Sequence, residues 1–344
     1  MELIASLPAD TPLQDVGAWA RRVEALGFDT LHVSETVNDP FVTSTLALEQ
    51  TQRLVVRTSM VVAFPRSPMV SAYSAWSLSR FSGGSFELGV ASQVRGNIVG
   101  RYSAPWVEPV SQLRDYIASL RAIFASFQEG VPLVHDGPHY RFDRLQPYFN
   151  PGPLEHPAPS IWSGGVNERM CTLGGEVSDG FVCHPTASHP NFLDRRVLPA
   201  IEKGVDQSGR GDGGPRVVVA AKRLAGRTTD DVARARDAYR PDLAFLYSTP
   251  AYSRQLELLG FSDLAARLSA HAKAKNWAGL ADCLTDELIQ QLIPSGTYAD
   301  LPLVLERWYA GRCDGLILNV PTERGRRDAH LRDLVEAVRD IATR

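Results

Sequence analysis

The chain holds only four cysteines in 344 residues, Cys171, Cys183, Cys283 and Cys313, and no two form a C-x-x-C pair. That spacing excludes a zinc ribbon or a dithiol redox centre and leaves four isolated thiols, buried or free. A basic excess is also missing. With 36 basic against 39 acidic residues the formal charge is −3, which does not suit a phosphate backbone, so no nucleic-acid partner is expected. No apolar run approaches the ~20 residues of a membrane helix. The run Met60-Val61-Val62-Ala63-Phe64 has the length of a buried strand, and no membrane partner is expected. The N-terminus, Met1-Glu2-Leu3-Ile4-Ala5, lacks the basic and long apolar regions of a secretion signal, so the expected compartment is the cytoplasm. H-E-x-x-H, G-x-S-x-G and G-x-x-x-x-G-K-[ST] are absent, as are carboxylate and histidine clusters at metal spacing. An enzyme so equipped needs an organic cofactor for its hard step, and no metal is expected.

What is present is an alternation of short apolar runs with amphipathic stretches. After the run Leu3 to Leu7, Pro12 opens a segment whose Val16, Trp19, Ala20, Val23 and Leu26 recur at helical spacing and stop at Gly27. Strands follow at Phe28 to Ser34, Leu54 to Ala63, Ser85 to Ala91, Ser160 to Ser163, Gly180 to Cys183, Arg216 to Ala221 and Gly315 to Val320. Helices are predicted between them, among them Pro40 to Gln52, Met69 to Phe81, Glu108 to Phe127, Thr229 to Tyr239, Ser253 to Ala274 and Ala281 to Leu292. Eight short, mostly non-alternating strands separated by helices imply a parallel sheet buried on both faces. The α/β class follows, and eight strands favour a (β/α)8 TIM barrel with insertions over an open sheet. Pro8 to Pro12 replaces the glycine fingerprint of a dinucleotide fold after the first strand. One domain over 1–344 is expected, with insertions at about 130–159 and 250–292; the first holds ten glycines and prolines and reads as irregular.

In such a barrel the reacting groups come from the C-terminal ends of the strands. Those ends are Ser34-Glu35-Thr36, Phe64-Pro65-Arg66, Ser92-Gln93-Val94-Arg95, Ser163-Gly164-Gly165, His184-Pro185 and Asn319. Ser163-Gly164-Gly165 lies between a strand and a helix start, a geometry that suits a phosphate, with an ordinary tight turn as the alternative. Arg95 and Arg101 are the nearby cations. Glu35 can position a cofactor or exchange a proton, or be a solvated loop residue. His184, at a strand end, is better placed for proton transfer than His32, which lies among apolar neighbours and reads as packed core.

Several of these segments resemble the bacterial luciferase-like superfamily of flavin and deazaflavin enzymes. They are Ala25-Leu26-Gly27-Phe28-Asp29-Thr30-Leu31 with Ser34-Glu35 and Asp39-Pro40-Phe41; Arg57-Thr58-Ser59-Met60-Val61 with Pro65-Arg66-Ser67-Pro68; and Leu78 to Gly84 leading into Glu87-Leu88-Gly89-Val90. Gly174 to Phe181 and Ala310 to Leu316 continue the likeness over nearly the whole chain. The branch it resembles is the F420-dependent oxidoreductases related to methylene-tetrahydromethanopterin reductase. The resemblance implies a barrel that binds coenzyme F420, or alternatively FMN, at the strand ends. It further implies a non-proline cis peptide at Ser59-Met60 backing the ring, and a phosphate site at Ser163, Gly164 and Gly165. Ser34, Ser59, Met60, Val61, Ser92 and Arg95 complete the implied cofactor contacts, and Glu35, Gln93 and His184 the polar contacts to ring or substrate.

This sequence departs from the sugar-phosphate dehydrogenases of that family. Thr36 stands where they carry a histidine after the acid, and Ser92-Gln93-Val94-Arg95 lacks their glutamate. The expected activity is therefore a reductase passing hydride from reduced F420 to an activated C=C or C=N bond of a small molecule. An FMN-dependent monooxygenase and a non-catalytic flavin-binding protein are the alternatives. The resemblance also implies a homodimer. The insertions and their aromatics, Tyr140, Phe142, Tyr148, Phe149 and Trp277, are expected either to cover the site or to pack the insertions themselves.

Overall fold

Thirteen strands are present in the computed structural model, which describes residues 1–211, 213–249, 253, 256–321 and 326–344, with the backbone alone for 326 and 327. They are β1 (Glu2–Ser6), β2 (Thr30–Val33), β3 (Val55–Thr58), β4 (Val61–Val62), β5 (Phe86–Ala91), β6 (His135–Asp136), β7 (Arg141–Phe142), β8 (Ile161–Gly165), β9 (Gly180–Cys183), β10 (Arg216–Ala220), β11 (Leu224–Gly226), β12 (Ser295–Thr297) and β13 (Gly315–Leu318). Taking β3 and β4 as one interrupted strand, β1, β2, β3/β4, β5, β8, β9, β10 and β13 are the eight expected strands, and helices alternate with them. That order is the (β/α)8 barrel class. The chain falls into two compact units, one of Glu2–Val182 and Ala200–Val217, the other of Met1, Cys183–Pro199 and Val218–Arg344.

In the first unit β1 pairs parallel to β2, β2 to β3, β3 and β4 to β5, and β5 to β8. The first helix, Leu13–Ala25, buries Val16, Trp19, Ala20 and Val23, and Gly27 follows at φ 87°, a left-handed turn that glycine makes without a Cβ clash. Asp39 and Ser67 cap helices Pro40–Leu48 and Pro68–Phe81 through side-chain oxygens, each with proline at the first helical position.

Beneath the sheet's open end lies a buried ionic layer. Arg57, on β3 with its side chain 1% exposed, donates to Glu87 at 2.5 Å and to Glu2 at 2.8 Å. Its Nη1 donates to His32 Nε2 at 3.0 Å, and its guanidinium lies 3.4 Å above the Trp162 ring. Arg216 closes the other face of Glu2 at 2.7 Å, and the Thr30 hydroxyl donates to Glu2 at 2.6 Å. Burial chiefly, and the Arg57 charge second, hold the His32 imidazole well below its usual 6.5, so it is neutral and accepts. His32 is thus a packed residue serving the arginine.

The segment 130–159 differs from expectation in two ways. It contains a small antiparallel hairpin, β6 with β7, folded around the buried Asp115 carboxylate, which accepts from His135 Nε2 at 2.7 Å, His139 N–H at 2.7 Å and Tyr140 N–H at 2.8 Å. A Cβ at Gly137 would lie 1.8 Å from Asp115 Oδ1, which is why the hairpin turns on glycine. It also runs from helix Pro109–Glu129 into the N-terminal end of β8, the end away from the chemistry of a barrel. Arg80 holds the carbonyls of Pro151, Gly152 and Pro153, Trp76 Nε1 donates to Gly152, and the Tyr73 hydroxyl donates to Phe149. The segment is fastened to outer helices, so the expectation that it covers the site is corrected. Tyr140 packs on Tyr116, whereas Tyr148 is 90% exposed.

In the second unit β10 pairs parallel to β13 and β11 to β12. Helix Thr229–Ser248 continues past Pro241, where the sequence pattern stopped at Tyr239. Leu243, Ala244 and Tyr247 beyond the proline are buried in a core with Leu264, Leu268, Leu280 and Leu292, so packing outweighs the local helix-breaking cost. The predicted helix Ser253 to Ala274 is observed as Ser262–Lys273, and residues 250–252, 254 and 255 of that insertion lie outside the described residues.

Arg57→Met takes the shared donor from Glu87, His32 and Glu2, of which, among the described residues, only Glu2 keeps other donors, Arg216 and Thr30. The expected loss is about 3–5 kcal/mol, read from urea denaturation at neutral pH. A loss below ~1 kcal/mol would show that the layer is not held by the guanidinium.

Candidate functional site

Strand register brings the predicted residues of the first unit to one rim. Val33 is level with Thr58, Val62 with Ala91, and Val90 with Ser163. Ser34, Ser59-Met60, Ser92 and Gly164 therefore leave the sheet at the same end, and each is at least partly open to solvent while Val33, Thr58, Val90 and Ser163 below them are sealed.

The predicted third strand is interrupted at the Ser59-Met60 peptide, which is cis. Hydrogen bonds to β2 and its tail and to β5 clamp the interruption. Ser59 N–H donates to the Val33 carbonyl at 2.7 Å and Ser34 Oγ to the Ser59 carbonyl at 2.9 Å. Thr58 Oγ1 donates to the Gly89 carbonyl at 3.0 Å and accepts from Gly89 N–H at 2.8 Å. Past the bulge, Val62 N–H donates to Glu35 Oε2 at 2.7 Å.

Glu35 is fully engaged. Besides Val62 it accepts from Arg66 Nη1 at 2.8 and 2.9 Å and from the Tyr102 hydroxyl at 2.9 Å, while Arg66 Nη2 reaches Asp39 at 3.1 Å. Burial first, then the Glu35 contact, push the Tyr102 phenol above its usual value, so it remains a donor. The arrangement makes Glu35 a positioning group that ties the tail of β2 to β4; sequence reasoning found the residue but missed Arg66 and Tyr102 as its partners.

Gly89 and Gly164 exist to admit Met60. A Cβ at Gly89 would stand 2.0 Å from the Thr58 carbonyl and 2.6 Å from Met60 Sδ; at Gly164 it would meet the Val182 carbonyl at 2.9 Å and Met60 Cε at 3.2 Å. Gly164 and Gly165 lie within β8, and the helix begins only at Glu168, capped by Asn167. Ser163 Oγ accepts from Ser178 Oγ at 2.7 Å and is 2% exposed, so its hydroxyl faces the protein and not an open turn. The expected convergence of a free hydroxyl with the helix start is thus not observed, because the strand runs two residues further than its apolar pattern indicates.

Gln93 adopts φ 60° and folds its side-chain oxygen back onto Val94 N–H at 2.9 Å, and Ser92 Oγ donates to the Gln93 carbonyl at 3.2 Å. Arg95 opens an unpredicted short helix, Arg95–Gly100, and is exposed without a partner among the described residues. Arg101 donates to the Thr36 carbonyl at 2.6 Å.

His184 belongs to the second unit. Thr186 N–H donates to its Nδ1 at 3.3 Å and Thr186 Oγ1 lies 2.7 Å from the same nitrogen, which places the ring proton on Nε2. Burial, reinforced by the Lys222 ammonium, brings the imidazole down to about 4. At neutral pH it is uncharged, a donor through Nε2 and not an imidazolium acid. No group of three or more metal-ligating side chains occurs among the described residues, and none of their helices is long and apolar enough to cross a membrane.

Comparison with known proteins gives the following likenesses. The sequence model of luciferase-like monooxygenases matches residues 2–309. An uncharacterized protein of Mycobacterium tuberculosis is 34% identical over 86% of this chain and 85% of its own. The 5,10-methylenetetrahydromethanopterin reductase of Methanolobus tindarius is 27% identical over 86% and 87%. Among solved structures, the coenzyme F420 dependent tetrahydromethanopterin reductase of Methanopyrus kandleri superposes with a TM-score of 0.77 at 15% identity, over 99% of this chain and 98% of that one. At that identity the match establishes the (β/α)8 fold.

The depressed His184 pKa makes stability depend on pH. Below 6.5 the unfolded imidazole binds a proton that the folded one refuses until about 4, so stability present above 6.5 falls as pH drops through that window. The contribution is about 2–3 kcal/mol. His184→Gln, which cannot titrate there, is expected to gain on the wild type in urea midpoint as pH falls from 7 to 4.5; a constant gap would contradict the shift.

Proposed function

We propose, since the chain belongs to the luciferase-like monooxygenase family, that it is an oxidoreductase using coenzyme F420, and that it reduces an activated C=C or C=N bond of a small organic molecule. The observation that carries the reading is the clamped Ser59-Met60 bulge with glycine clearance at Gly89 and Gly164. A putative coenzyme F420-dependent oxidoreductase of Mycobacterium tuberculosis, 22% identical over 92% of this chain and 94% of its own, supports the choice of cofactor.

The residues present fit a flat, largely neutral ring. The rim offers the half-open Ser59-Met60 peptide, small polar groups at Ser34 and Ser92, and the Gly164-Gly165 backbone, with unpaired Arg95 as a cation for an acidic tail. Reduced F420, when bound, supplies a hydride. The chain's part is to hold and shield. Ser34, Thr58 and Glu35 fix the bulge so that one ring face has a rigid backing, which lets orientation replace a bimolecular encounter. Gln93 is the polar contact proposed for ring or substrate at this rim, neutral His184 is a proposed proton donor of the second unit, and Ser163 acts through its neighbours, orienting β8 by its bond with Ser178.

A second reading, an FMN-dependent monooxygenase, is favoured by the family description itself. Fluorescence titration of the purified protein with F420 and with FMN separates the two. Saturable F420 binding without FMN binding is expected; FMN binding alone, with oxygen uptake on reduction, would replace the main reading, and binding of neither would remove both. Gly164→Val crowds Met60 and is expected to weaken cofactor binding at least tenfold, whereas an unchanged Kd would displace the ring from this rim.

A further inference from the structure

Two buried phenols of the second unit lack a partner. Tyr247, near the end of helix Thr229–Ser248, is 5% exposed, and Tyr309, the last residue of helix Leu301–Tyr309, is 2% exposed. Neither hydroxyl has a hydrogen-bond partner among the described residues. Both residues line one cleft with Lys222, which lies just past the end of β10. The lysine is underused as well: its ammonium donates once, to the Tyr239 hydroxyl at 2.6 Å, and no carboxylate pairs with it among the described residues. Tyr247 is an electrostatic neighbour of both Tyr239 and Tyr309, so the three phenols and the ammonium form one cluster.

A tyrosine buried to this depth normally gives its hydroxyl to a partner. Burial pushes the Tyr247 and Tyr309 phenols well above their usual value, so each stays protonated and able to donate. An ammonium carries three donors, of which Tyr239 takes one. The neighbouring His184 is uncharged at neutral pH and brings no negative charge to the cluster. Thr186, Ser188 and His189, also at the cleft, are already bonded within the unit. What the cleft offers an occupant is therefore a group of donors with a single positive charge, set against the apolar Leu246, Ile293 and Trp308. Its volume is about 370 Å³ with the open mouth included, at the small end of ligand pockets.

We infer that this cleft is a binding site for a small monocarboxylate with an apolar body, such as an aryl or branched-chain acid, its carboxylate held by Lys222, Tyr247 and Tyr309. One ammonium answers one carboxylate. A phosphate dianion would bring a second charge with no cation to meet it, and a neutral hydrocarbon would leave the donors unpaired. The site lies within the second unit and does not depend on which cofactor the rim of the first unit takes.

Thermal unfolding of the full chain tests it, with benzoate, benzyl alcohol and inorganic phosphate as probes against chloride at equal ionic strength. Benzoate is expected to raise the wild-type midpoint saturably, by ~2–5 °C at about 100-fold over its Kd, and the other two probes to give smaller rises at the same concentration. Tyr247→Phe and Tyr309→Phe each remove a hydroxyl and keep the ring. Without benzoate they are expected to unfold no lower than the wild type, since the hydroxyl serves no protein group, and with it to bind about tenfold more weakly. Lys222→Met is expected to lose the preference for benzoate over benzyl alcohol. Absence of a saturable rise with benzoate, an equal rise with benzyl alcohol or phosphate in the wild type, or an unchanged benzoate Kd in both phenylalanine variants overturns the assignment. A lower midpoint of those variants in chloride would give the hydroxyls a structural role and overturn it too.

Discussion

Everything at the rim of the first unit stands on one buried guanidinium. Arg57 receives Glu2 from β1, His32 from β2, Glu87 from β5 and the Trp162 ring from β8, so a single side chain sets the spacing of four strands at their closed end. A hydrophobic plug of the same volume would fill the space without fixing which strand faces which. Ion pairs of this depth contribute little net stability against such a plug, but their geometry admits few alternatives. Two residues further along, the chain turns through the Ser59-Met60 peptide, so the anchored layer and the clamped bulge share one interrupted strand.

The bulge in turn shows how few side chains a preorganised surface requires. Ser34, Thr58 and Glu35 each satisfy a backbone group that an interrupted strand would otherwise leave open. Arg66 and Tyr102 then satisfy Glu35, and a chain of hydrogen bonds runs from the backbone of β4 to the surface at Asp39. The carboxylate is thereby committed to holding the bulge in place.

Strand order, the first helix and the Ser59-Met60 peptide were legible from the amino acids because apolar spacing, proline and glycine stops, and a family likeness act locally. What escaped was long-range. Helix Thr229–Ser248 passes Pro241 because buried Leu243 and Tyr247 hold it, and β8 extends through two glycines because Val182 and Met60 leave no room for a Cβ at Gly164 and Met170 leaves none at Gly165. Asp115 gave no sign that it would seat a hairpin, since its three donors lie 20 to 25 positions away.

The position of the 130–159 segment carries an evolutionary consequence. Its carbonyls are tied to Arg80 and Trp76, at the end of the unit away from the rim. Drift in its length or composition is thereby uncoupled from the rim. Relatives that differ there while keeping Ser34, Glu35, Met60 and Gly164 should share a reaction, and a tag or fusion partner spliced into that segment should leave turnover untouched.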